Sequence, residues 1–167
     1  MRWQLDRCVA AALAAVLIVS NAAFAEPSPN PACPALDRGG TSFYSVKGIP
    51  SPIATELARK MPGAILDEYI MADRDQPWQI TDVVMPGPRL PSRRFIRGGN
   101  VGSRWYIWYE HGGIAHSFDV AIFDFPSTGP AAKVVAHGFA PPDRMCSITS
   151  DHLNDPIPAS EPEHDIW

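Results

Sequence analysis

All five histidines of this chain lie between His111 and His164, and two of them, His111 and His116, bracket the short run GGIA. Imidazole nitrogen is a common ligand for zinc and copper. A two-residue turn centred on Gly112-Gly113 places His111 and His116 on one face of a hairpin. As a diagonal pair they stand about 7–8 Å apart, close enough to share an ion. His137 joins them if the last strand turns it the same way. The residues for a zinc or copper centre are therefore His111, His116 and His137. The simpler reading needs no ion: two histidines at a sheet edge, hydrogen-bonded to their neighbours.

Nucleophilic chemistry has less to stand on. His111-Gly112-Gly113 is similar to the HGGG oxyanion loop of some esterases, but the third glycine is Ile114 and no GxSxG elbow occurs anywhere. Ser117 and Asp119 sit beside His116, yet strand alternation sends both to the opposite face. Glu110 and Asp119 share the outer face of the hairpin, where their partners would be Ala115 and Tyr106. No carboxylate is isolated in an apolar surrounding, as a general acid with a raised pKa requires. No catalytic residue is assigned.

Binding is better supplied. Five of the basic residues fall between Arg89 and Arg104, namely Arg89, Arg93, Arg94, Arg97 and Arg104. The guanidinium fork suits carboxylate and phosphate groups. In the register set by a Gly112-Gly113 turn, Arg104, Tyr106, Trp108, Glu110, Asp119 and Phe123 form one face of the hairpin. Trp105, Ile107, Tyr109, Phe118, Val120 and Ile122 form the other. If the first of these faces is open, Arg104, Tyr106, Trp108, Glu110 and Asp119 with Arg93, Arg94 and Arg97 make an aromatic, arginine-lined surface for an envelope protein or an anionic ligand.

The elements that must position these residues follow from local pattern. Residues 104–123, RWYIWYEHGGIAHSFDVAIF, read as two β-prone runs joined by glycines. Further strands are expected at Trp78–Met85, at Arg93–Arg97 with a turn at Gly98-Gly99-Asn100, and at Lys133–Phe139. With no helices between them they describe an antiparallel meander. One helix begins at Ser51-Pro52 and stops at Pro62-Gly63, with Ile53, Leu57 and Met61 on one stripe. Ala64–Ala72 suits a second helical stretch or a short buried strand, with helix preferred. The expected fold is α+β in two layers: a short N-terminal helix on a four- to five-stranded antiparallel β-meander, closed by one disulfide.

The flanks carry addresses and ties. Arg2 and Arg7, the apolar run Cys8–Val19 and the Ala23-Phe24-Ala25 site form a signal peptide over residues 1–25. Twelve apolar residues are too few for a bilayer, which takes roughly 20. The expectation is an exported protein, periplasmic or secreted after cleavage near Ala25, with no transmembrane segment in the mature chain. Residues 26–47 are expected to be an extended proline-rich segment, 48–149 the α+β domain, and 150–167 an acidic flexible tail. Removing Arg2, Arg7 and Asp6 from 14 basic and 18 acidic residues leaves 12 and 17, a formal charge of −5. An acidic chain does not suit nucleic acid. Cys33 and Cys146, the two cysteines left after the leader, pair as a disulfide in an oxidising compartment.

Together these features point to a small exported cell-envelope protein acting as a non-catalytic binding or interaction module. The alternative is a zinc- or copper-binding protein or small metalloenzyme centred on the hairpin histidines.

Overall fold

A computed structural model describes residues 32–61, 71–81, 90–125 and 131–154. Residues 1–31, 62–70, 82–89, 126–130 and 155–167 lie outside that set, and so do the expectations placed on them.

Five antiparallel strands form one sheet in the order β1 (Thr41–Phe43), β2 (Arg93–Val101), β3 (Arg104–His111), β4 (Ser117–Asp124) and β5 (Lys133–Phe139). Order in space equals order in sequence, which is the expected meander. Its first strand is not the one expected. Residues 78–81 take no strand pairing, and Thr41–Phe43 instead lies along Asn100, Gly99 and Gly98. Gly98-Gly99-Asn100 is therefore strand, and the β2–β3 turn falls at Gly102.

Among the described residues three α-helices accompany the sheet: α1 (Pro34–Gly39), α2 (Ser51–Lys60) and α3 (Met145–Asn154). Helix α2 buries Ile53 and Leu57, with Met61 just past its end, against Phe95, Ile107, Tyr109, Ala121, Phe123 and Val134. Its four-residue spacing puts those three side chains on one stripe, as the pattern requires. Its Glu56 accepts from the backbone N–H of Val134 on edge strand β5 (3.4 Å) and pairs with Arg59.

The opposite face of the sheet is covered as well. Leu36 of α1 and Met145 of α3 pack on Ile96, Tyr106, Trp108, Val120 and Ile122. The fold is thus α+β with three layers rather than two. Residues 34–39 are helical, not extended, and α3 carries the chain in helical form through Asn154, past the point where a flexible tail was expected. The Cys33–Cys146 disulfide, with Cα atoms 5.4 Å apart, ties α1 to α3 on this second face.

Two-sided burial removes the constraint used to set the hairpin register. A strand with one buried face resists a one-residue slip, because the slip exposes its apolar set. Here both faces are apolar and covered, so the loop decides. Observed partners are His111↔Ser117, Tyr109↔Asp119, Ile107↔Ala121 and Trp105↔Phe123. This is three residues away from the tight-turn register, an odd number, so every β4 side chain changes face relative to β3.

Candidate functional site

The β3–β4 connection is a five-residue loop over residues 112–116, rather than a two-residue turn. Gly113 takes the positive φ (110°) that glycine permits. Gly112 is glycine for a different reason: a Cβ there would stand 2.0 Å from the carbonyl oxygen of Gln79. The chain at 78–80 and at 90–92 is laced to this loop. Gly113 N–H donates to Ile80 (2.8 Å), Gly112 N–H to Ser92 (2.9 Å) and Gln79 N–H to Pro91 (2.9 Å). The result is a tip on which Ile114 is 94% exposed, Ile80 44% and Leu90 37%.

Two polar groups flank the tip, one on each face of the sheet. On the α1/α3 side, Arg94 donates through Nε (2.9 Å) and Nη2 (2.5 Å) to Glu110 Oε2. The other oxygen of Glu110 lies 2.7 Å from His116 Nε2. Both members of the ion pair are buried, whereas the His116 side chain is 44% exposed. Trp78 lies over the Arg94 guanidinium at 4.8 Å, a cation–π contact that covers it from solvent.

On the α2 side, six polar residues from four strands share one face. Register places Arg93 beside His111 and His111 beside Ser117; the next row holds Tyr109 and Asp119, and His137 stands beside Ala121. The Tyr109 hydroxyl lies 2.6 Å from His137 Nε2, with the two rings stacked. Burial, then the charge of Asp119, pushes the Tyr109 phenol well above its ordinary range, and the Arg93 guanidinium only partly offsets this. Tyr109 therefore stays protonated, and its hydrogen bond with His137 Nε2 links β3 to β5. Ser117 donates to Asp119 Oδ2 at 2.7 Å, while Asp119 Oδ1 is 3.9 Å from His137 Nε2. The serine proton goes to a carboxylate and not to an imidazole, so the order of a nucleophile–base–acid relay is absent from this group. A protonated phenol and an occupied carboxylate orient and bind; they do not activate a nucleophile.

Several expected site residues are placed elsewhere. Tyr106 and Trp108 are fully buried, not an open face. Trp108 Nε1 donates to Thr149 of α3, and the Tyr106 hydroxyl meets Ser42 and Arg97. Arg97 is itself buried, donating to Asp37 and Ser42 under the Tyr44, Tyr106 and Trp108 rings. Arg94 is used by Glu110, and Arg104 donates to the His152 carbonyl at 2.7 Å. The arginine stripe is thus spent largely on internal contacts.

The histidines do not converge either. His116 turns toward Glu110 on one face, and His137 toward Tyr109 on the other. Among the described residues no three His, Cys, Asp or Glu side chains gather as a metal-ligand set. The expected triplet of His111, His116 and His137 is corrected accordingly: the longer loop separates His116 from the other two.

Residue type alone marks Arg93, His111, Asp119 and His137, but it does not mark Ser117 and Tyr109 as their companions. Alternation along 109, 111, 117 and 119 joins them once the loop has five residues. No protein-family model, curated protein or solved structure matches this chain.

Proposed function

We propose that the chain is a small exported protein of the cell envelope that acts by binding another envelope protein through the tip of its β3–β4 hairpin. The observation that carries this is the exposure of three aliphatic residues, Ile80, Leu90 and Ile114, on chain segments tied to one another by backbone hydrogen bonds at the hairpin tip. Both faces of the sheet are closed by helices, and these three aliphatic side chains nonetheless meet solvent. Exposed apolar groups gathered in this way, on a tip held by backbone hydrogen bonds, are characteristic of interaction sites. The leader-like first 25 residues and the Cys33–Cys146 disulfide support export. Among the described residues no helix is long and apolar enough to cross a membrane.

The test is site-specific photo-crosslinking in the native envelope, with the crosslinker at position 114 and a control at the exposed Arg38. A discrete protein adduct at 114 that disappears with Ile80→Asp and Leu90→Asp supports the proposal. Equal labelling at both positions, or an adduct indifferent to those substitutions, overturns it. Mass analysis of the mature protein checks export separately, since retention of residues 1–25 contradicts it.

A further inference from the structure

The three segments that build the hairpin tip, residues 78–80, 90–92 and 112–116, contain no Lys, Arg, Asp or Glu, and His116 is their one titratable side chain. It lies two residues beyond Ile114 in the same loop. Its ring meets Trp78, two residues before Ile80, with centroids 6.4 Å apart, and Phe118 edge-on at 5.3 Å. Its Nε2 is 2.7 Å from Glu110 Oε1. A carboxylate held by a guanidinium only accepts, so the proton of this bond belongs to Nε2. In the neutral ring Nδ1 then carries the lone pair, and among the described residues no group is hydrogen-bonded to it. The charged groups on this side of the ring are Glu110 from β3 and Arg94 from β2, which cancel; Trp78 and Phe118 carry none. A proton on Nδ1 leaves two cations against one carboxylate.

The geometry points to His116 as the pH sensor of the hairpin tip: its neutral form leaves the tip uncharged for an apolar partner, and protonation at Nδ1 weakens that binding. This rests on the tip reading given above and adds its regulation. Imidazole is the side chain whose ordinary change of charge falls between about pH 5 and 8. The bond to Glu110 persists in both forms, because Nε2 keeps its proton. The switch is therefore one of charge and not of loop shape. An imidazolium beside Ile114 must give up water when a partner covers the tip, and burying a charge without a counter-ion is costly. Glu110 does not serve as that counter-ion, because the buried Arg94 already neutralises it.

Two measurements test this. The first is nitrogen NMR of the His116 ring in the oxidised full chain, from about pH 8 to about pH 5. Nε2 should stay protonated throughout while Nδ1 takes up a proton, and the Ile114 and Ala115 amides should shift with the same midpoint. His116→Gln should flatten those shifts. A neutral ring protonated at Nδ1, or amides indifferent to that midpoint, overturns the inference. The second is the photo-crosslink at position 114, run at about pH 7.5 and about pH 5.5. Its yield should fall in acid, by no more than about 10-fold per pH unit because one proton is taken up. His116→Gln, neutral at both pH values, should give equal yields, and His116→Lys, charged at both, a low yield at both. A native yield equal at the two pH values, or a fall that persists in His116→Gln, overturns the inference and leaves the tip reading standing. Absence of an adduct at either pH overturns the tip reading and this inference with it.

Discussion

The indole N–H of Trp108 donates to the hydroxyl of Thr149 across 2.7 Å, and both residues are fully buried. One partner is at the centre of β3 and the other on α3, so this bond locks the C-terminal helix onto the sheet. It also explains why the densest aromatic run of the chain is not a binding face: Tyr106 and Trp108 are the floor on which α1 and α3 rest.

Replacing Thr149 with Val keeps the shape and removes the acceptor. The Trp108 N–H is then buried without a partner, at a cost of about 1–3 kcal/mol. Urea denaturation should show the loss as a lower midpoint at unchanged slope. Trp108→Phe in the same background should recover part of it, because the unmet donor is gone.

The Cys33–Cys146 disulfide closes almost the whole described fold into one loop and joins α1 to α3. A loop of roughly 100 residues is worth on the order of 4–5 kcal/mol in the chain-entropy model, an upper figure. Cys33→Ser/Cys146→Ser should therefore lower the denaturation midpoint substantially, and the α1/α3 layer should open before α2 does. Hydrogen exchange would show this as protection lost first at 34–39 and 145–154. Uniform loss across all three layers would contradict it.

The meander, helix α2 and the disulfide were legible in the sequence because each rests on a local or binary signal. These are the alternating β-prone residues, the stripe of Ile53, Leu57 and Met61, and the cysteines at 33 and 146. The hairpin register was not legible, for a tertiary reason. Gly112 is required by the approach of Gln79, far earlier in the chain, and no local turn rule contains that contact. The run from Trp105 to Tyr109 did hold a warning. A strand apolar at every position is read more naturally as buried on both sides than as alternating. Helix α3 has a weak signature in the sequence because Ser147, Thr149, Ser150 and Asp151 are indifferent helix formers, although Met145, Ile148, Thr149 and Leu153 keep helical spacing. The α2-side polar group follows from the register, so it is visible only when the loop length is known.

Glu110 is buried between Arg94 and His116. Removing one member of such a pair leaves an uncompensated buried charge, typically about 3–5 kcal/mol of lost stability. Glu110→Ala should cost in that range. Arg94→Met/Glu110→Leu, which removes both charges at similar volume, should cost much less. A double variant no more stable than Glu110→Ala would show that the loss comes from disturbed packing and not from the unpaired charge.

Alkaline stability should report Tyr109. Burial raises its phenol pKa in the folded chain above the ordinary value near 10, and Tyr106 is raised for the same first reason. A raised folded pKa means that the unfolded chain loses the proton at lower pH than the folded one. The stabilisation is therefore complete below about pH 10 and declines as pH rises above it, because only the unfolded state gains by ionising. Tyrosinate absorbance should show these two phenols remaining protonated past about pH 10 and ionising together with unfolding. Tyr109→Phe has no phenol to ionise and should flatten the alkaline decline, while also removing the hydrogen bond to His137. At the acid end the sign is opposite. The hydrogen bond from Arg59 holds Glu56 below its ordinary value of 4.5, so its contribution is present above that pH and fades as pH falls through the lowered value. Glu56→Gln should accordingly lose stability at neutral pH and differ little from the native chain in strong acid. A gap that persists unchanged into strong acid would place the role of Glu56 in packing against β5 rather than in its charge.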